Sequence, residues 1–232
     1  MTAAARVLAF AIVLGLAARA DGAGRAVQLR AADGVALAAT LYEAANPSAP
    51  GVVLVHMFTR SRDDWRGFAE RLQATGLSAL AVDLRGHGGS GGDGRPAPAM
   101  AQDVAAAAAF LAGRPGGGPV AIVGASLGAS LALLAAADAA AVREVVLVSP
   151  AADYRGVRFD AALRKYASRP MLLVASTEDP YALRTVGALA ADGSGAREQH
   201  LSAIPAHGTI LLERDPAAAA AVVDWLRRTL LF

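Results

Sequence analysis

The run VAIVGASLGASLALL, residues 120–134, changes character in its middle. Val120 to Ala125 is an unbroken apolar stretch of strand length, and from Leu127 the chain resumes at a period that suits a helix. Between them stands Gly124-Ala125-Ser126-Leu127-Gly128, the pattern Gly-x-Ser-x-Gly. A serine between a buried strand and a helix occupies a sharp, strained turn that lifts its hydroxyl clear of the sheet. Glycines two residues to either side let helix and strand approach where a Cβ would collide. The alternative is an ordinary turn with a capping serine; the strand before it and the helix after it favour a nucleophile.

Outward from this turn the same style repeats. GVVLVHM (51–57), LSALAVDL (77–84), EVVLVS (144–149) and MLLVAS (171–176) are short apolar runs separated mostly by helix-compatible segments. Continuous apolarity means strands covered on both faces, hence an α/β architecture with a mainly parallel sheet and crossover helices. Ahead of them, AVQLRAADGVALAATLYEA alternates on both sides of Ala32-Asp33-Gly34 and predicts a β-hairpin. Helices are expected from Ser61 to Gly76 (with Trp65, Phe68 and Leu72 on one face), over 98–112, after Ser126, and near 160–167, 180–190 and 216–230. REQHLSAI (197–204) reads as a last strand, and GHGGSGGDGRPAP (86–98) as a flexible loop.

A serine hydroxyl needs a base against it, and the base needs a carboxylate to hold its tautomer. Of four histidines, His56 ends a core strand, His87 lies in the glycine-rich loop and His200 falls within the last strand. His207, in IPAHGTI, follows that strand in a loop and is the expected base. The carboxylate should lie between serine and histidine in the chain. Asp179, in STEDP, satisfies this and can also cap the helix that starts at Pro180. Asp153 is the second choice, and Glu178 points less suitably if Asp179 points inward. Two backbone N–H groups must receive the oxyanion: Leu127, directly after the serine, and Phe58 or else Met57, in HMFTRSRDDW. Met57 and Phe58 are also expected to line the substrate pocket.

Composition sets the outer limits. At 232 residues, with 55% hydrophobic and 18% charged, the chain suits a single packed domain. Residues 1–20 combine Arg6, the apolar run from Val7 to Ala18 and a small-residue site ending at Ala20, which predicts a secretory signal peptide and an exported protein, periplasmic or secreted. The formal charge of +2 would then fall to zero in a mature chain of residues 21–232, with no stable membrane anchor. Its arginines are scattered, so nucleic acid is not an expected partner. With no cysteine, disulfide and thiolate-metal chemistry are excluded.

HMFTRSRDDW, DLRGHGGS (83–90), GASLG, STEDP and AHGT, in this order and spread over residues 26–230, resemble the α/β-hydrolase superfamily, particularly its small dienelactone-hydrolase-like and serine-esterase-like members. The resemblance implies an eight-stranded twisted sheet flanked by helices with an antiparallel start, and Ser126, Asp179 and His207 as a catalytic triad. It implies that Asp83, Arg85 and His87 brace the loop beside the site. Met57 stands where the family usually carries glycine after His56. The segment from Pro150 to Arg169 leaves room only for a minimal cap, with Tyr154, Phe159 and Tyr166 expected on the pocket rim. The implied activity is acyl-enzyme hydrolysis of a small-molecule carboxylic ester with no cofactor or metal. Peptidase, thioesterase or acyltransferase chemistry, or a non-catalytic binding protein on the same fold, are the alternatives.

Overall fold

Each core strand alternates its side chains between two hydrophobic layers, and this alternation fixes where the helices lie. The computed structural model describes residues 24–192 and 194–231, so the expected signal peptide lies outside the described residues. The main sheet contains β1 (Arg25–Arg30), β2 (Ala36–Tyr42), β3 (Gly51–Val55), β4 (Ser78–Val82), β5 (Val120–Ala125), β6 (Val142–Val148), β9 (Met171–Ser176) and β10 (Arg197–Ser202). Their spatial order is β1-β2-β4-β3-β5-β6-β9-β10. The β1–β2 and β2–β4 pairs are antiparallel and the rest parallel. A separate hairpin, β7 (Asp153–Tyr154) with β8 (Val157–Arg158), was not legible as strand and forms part of the small cap.

Val53, Val55, Leu80, Val82, Ile122, Leu147 and Leu173 face one layer. There they meet α2 (Ala101–Ala112), α3 (Leu127–Asp138), α4 (Asp160–Tyr166) and α5 (Pro180–Ala190). Val52, Leu54, Ala81, Val123, Val146 and Val174 face the other. That side is covered by Trp65 of the 3-10 turn Arg62–Trp65, by α1 (Arg66–Ala74), by the short α6 (Thr209–Arg214) and by α7 (Pro216–Leu230). α3 is buried almost all round, which its small residues permit by letting neighbours approach closely.

Three expectations change. Phe159 and Tyr166 are buried in the α2–α5 layer, the Tyr166 hydroxyl donating to Pro170 O at 2.5 Å, so neither lies on a pocket rim; only Tyr154 of the three is exposed. The glycine-rich loop is tied down rather than loose. Ser90 Oγ donates to Asp83 O at 2.7 Å, Gly89 N donates to Asp83 Oδ2 at 2.8 Å and Gly91 N donates to Ala36 O at 2.8 Å. Finally, α6 follows His207 directly, where the sequence suggested only a loop.

Candidate active site

Ser126 joins β5 to α3 with φ 52° and ψ −116°, a strained conformation for a residue with a Cβ. Its amide donates to Val148 O at 2.9 Å, which pins the turn to the end of β6. A Cβ on Gly124 would lie 2.2 Å from Gly128 O, and one on Gly128 would lie 2.4 Å from Val55 O and 2.6 Å from His56 O. Both glycines are therefore required by close backbone approach, and the first turn of α3 sits against the end of β3.

His207 closes the arrangement. Its Nε2 lies 2.8 Å from Ser126 Oγ, and its Nδ1 lies 2.5 Å from Asp179 Oδ2. A carboxylate only accepts, so the ring proton sits on Nδ1 and Nε2 is free to take the serine proton. Asp179 divides its oxygens: Oδ2 faces His207, while Oδ1 accepts from Ala182 N at 3.1 Å and caps α5. The three residues come from the ends of β5, β9 and β10, all at the carboxyl edge of the parallel strands, where open α/β sheets place their sites.

The other sequence options lie elsewhere. Asp153 is exposed, with its carboxylate 3.9 Å from Arg158 Nε and its carbonyl accepting from Tyr181 Oη at 2.8 Å. Glu178 is exposed, and His200 sits within β10. His56 is fully buried; burial lowers its pKa to about 4, so the ring is neutral. Its Nδ1–H donates to Met57 O at 2.8 Å and its Nε2 accepts from Leu84 N at 3.0 Å, a clamp between the ends of β3 and β4. Arg60 N also donates to Met57 O, at 3.2 Å. With that carbonyl held, planarity of the trans peptide turns the Phe58 N–H to the opposite side.

The loop carrying His207 has anchors that the sequence did not reveal. Ser149, at the end of β6 with φ 49°, accepts from Gly208 N through its hydroxyl at 3.0 Å. Thr209 Oγ1 donates to Asp64 Oδ2 at 3.1 Å, linking this loop to the one after β3. Met57 also belongs to this contact: a Cβ on Gly208, whose φ is 62°, would lie 2.6 Å from Met57 Sδ. The side chain that replaces the usual glycine thus packs into space left open by a glycine on the facing loop.

Charged groups beneath the loops are paired. Asp83 accepts from Arg62 N at 2.7 Å and from Gly89 N, and ion-pairs with the Arg62 guanidinium. Arg85 is bound by Asp103 (Nη2–Oδ1 2.6 Å) and by Asp33 (Nη1–Oδ2 2.5 Å), and the hydrogen bonds it donates to Asp103 chiefly raise its pKa further. His87 Nδ1–H donates to Arg85 O at 2.9 Å. These contacts give Asp83, Arg85 and His87 the bracing positions that the resemblance implied.

Comparison with known proteins adds family and fold. The model of the serine aminopeptidase S33 family (Hydrolase_4) matches residues 46–180, a span holding Ser126 and Asp179. No curated protein matches the sequence. Among solved structures, a Pyrococcus furiosus esterase superposes with TM-score 0.77 at 17% identity, covering 90% of this chain and 92% of that one. A dienelactone hydrolase from Anabaena variabilis gives TM-score 0.69 at 24% identity, covering 90% and 98%. An esterase from Exiguobacterium antarcticum gives 0.69 at 13%, covering 88% and 100%. With the eight-stranded sheet, the elbow at Ser126 and a family match over more than half its length, the chain belongs to the serine aminopeptidase S33 family of α/β hydrolases.

Proposed function

We propose that the protein hydrolyses carboxylic esters of modest size through an acyl-enzyme on Ser126. The observation that carries this reading is the pair of hydrogen bonds running from Asp179 through His207 to the Ser126 hydroxyl. In the first step Ser126 Oγ attacks the ester carbonyl carbon while His207 Nε2 takes the hydroxyl proton. The tetrahedral oxyanion is received by the N–H groups of Leu127 and Phe58. Collapse breaks the ester bond, and the imidazolium gives its proton to the departing alcohol. Water then attacks the acyl-enzyme with His207 again as base, releasing the acid and restoring Ser126. Asp179 stays ionised throughout and holds the ring. Phe58 is preferred over Met57 as second donor because the Met57 carbonyl is held by His56 and Arg60.

The His207 side chain remains 46% exposed, which supports an open site suited to small esters. Met57, Phe58 and Tyr154 form its apolar border, with the Phe58 and Tyr154 rings 6.4 Å apart and edge-on. The family's name favours a second reading, aminopeptidase activity. A substrate ammonium group would need acidic partners, and the border beside Phe58 carries Arg60, Arg95 and Arg155 instead. The ester reading is therefore preferred.

Fluorophosphonate should label Ser126 and no other residue, and Ser126→Ala should abolish both labelling and release of 4-nitrophenol from short acyl esters while keeping the melting temperature. Labelled protein that releases amino acids from peptides but no alcohol from esters would transfer the assignment to the peptidase reading. We also assign export to this chain, with residues 1–20 removed as a signal peptide. Amino-terminal sequencing of the protein from its host should then begin at Asp21.

A further inference from the structure

Beside the proposed oxyanion loop lies a second concavity of about 480 Å³, bordered by Phe58, Thr59, His87 and three arginines, Arg60, Arg95 and Arg155. Among the described residues no carboxylate lines it. Arg60 pairs with Asp64 at 2.7 Å, whereas among the described residues Arg95 and Arg155 form no ion pair. His87 supplies no negative charge there: its Nδ1–H is given to Arg85 O at 2.9 Å and its Nε2 accepts from Thr59 N at 3.4 Å. Two arginines without a carboxylate partner, beside a third that Asp64 already neutralises, leave the concavity with an excess of positive charge that an anion would offset.

The position of Arg155 carries the point further. It forms the tip of the β7–β8 hairpin with Gly156, at φ 53° and 79°, the signs of a type I′ turn. Asn, Asp or Gly is the ordinary occupant of that first place, and a long side chain there bears backbone strain. The strained residue sets its guanidinium 4.0 Å above the Phe58 ring, on the same residue whose amide faces the developing oxyanion in the proposed mechanism.

We propose that the preferred esters carry a carboxylate on one arm, held by Arg95, Arg155 and Arg60 while the ester carbonyl lies at Ser126. The inference rests on the esterase reading and names its substrate class. It is tested with two matched pairs: methyl 4-nitrophenyl glutarate against its free acid, for a carboxylate on the acyl arm, and 4-acetoxybenzoate against its methyl ester, for one on the alcohol arm. In at least one pair kcat/KM for the anion should exceed that of the neutral partner by roughly tenfold at low ionic strength. The ratio should fall toward one in 0.5 M salt and in Arg155→Ala, and Arg155→Lys should restore part of it.

Equal rates within both pairs, or a preference untouched by the Arg95→Ala, Arg155→Ala double variant, overturns the proposal and leaves the esterase reading standing. Failure of every ester, with no fluorophosphonate labelling, overturns the esterase reading instead. The pocket is then judged without turnover, by calorimetric titration of glutarate into Ser126→Ala: heat that disappears with Arg155→Ala upholds the anion site, and no heat removes it.

Discussion

At the carboxyl end of the strands, Asp83, Arg85 and Asp103 are buried and met by partners on several sides; near the amino end of β6, Glu144 is buried with one hydroxyl beside it. Arg85 is held by two carboxylates, and Asp103 also accepts from Arg85 N at 2.8 Å. Among the described residues the one hydrogen bond to the Glu144 carboxyl comes from Thr229 Oγ1, at 2.7 Å, and burial outweighs it and the nearby Arg143 charge, pushing the carboxyl up to about 7. Both places bury ionisable groups, yet one has enough fixed donors and counter-charge to keep them charged and the other does not. The well-supplied end is the one under the proposed site, where loops must keep their shape beside an exposed imidazole.

The sharpest test of that end is Asp179→Asn. Asparagine is as good a helix cap as aspartate, so α5 and the melting temperature should be kept. The hydrogen bond to His207 Nδ1 would no longer select the tautomer that accepts from Ser126, and ester turnover should fall about 10⁴-fold. Asp153→Asn, as the control, should change little. If the two variants lose activity alike, the relay assignment through Asp179 fails.

Next in size is Asp103→Asn, which leaves Arg85 with a single, half-exposed carboxylate partner. Breaking one side of a buried ion pair costs on the order of 3–5 kcal/mol, and denaturant unfolding should register that loss. At the opposite end the same kind of change should have the opposite sign. Because the Glu144 pKa is raised on folding, the folded chain binds more protons than the unfolded one between pH 4.5 and about 7, and stability falls as pH rises through that window. Glu144→Gln removes the cost. It should stabilise the protein at pH 8 by on the order of 3 kcal/mol and leave it unchanged near pH 4. Destabilisation at pH 8 would mean that Glu144 is as well supported as the groups beneath the site.

Much of this was legible in the sequence because the underlying signals are local. Strands buried on both faces read as unbroken apolar runs, and the elbow needs glycines at fixed offsets, so β3 to β6, β9, Ser126 and its two glycines could be placed directly. Asp179 and His207 were legible through chain order and through their positions just past strand ends. What was hidden depends on contacts between distant segments. The glycines of 86–98 suggested mobility, and only the buried Asp83 carboxylate shows that they serve close approach: a Cβ on Gly88 would lie 2.1 Å from Asp83 Oδ2. Phe159 and Tyr166 read as pocket rim because aromatic residues in a short cap segment carry no period that assigns them a face, and packing placed both in the core. The β7–β8 hairpin has two residues per strand, too few for any period to emerge.

Ser149 is the clearest hidden residue of the site, and it offers the smallest test. In sequence it is only the last position of EVVLVS; in the fold its hydroxyl is the acceptor for Gly208 N, the amide next to His207. Ser149→Ala would leave that buried N–H without a partner, at a cost of about 1–3 kcal/mol, and would let the His207 loop shift relative to β5. Since a displacement of about 1 Å at a catalytic base can cost up to 100-fold, kcat should drop roughly tenfold or more while KM stays near its original value. Ser130→Ala is the natural comparison: it removes an equally buried hydroxyl bond, to Ala151 O at 2.8 Å, on the cap side of the serine. It should lower stability with a much smaller effect on kcat. Equal losses of kcat in the two variants would show that the rim responds to any lost hydrogen bond, and that Ser149 has no particular part in positioning His207.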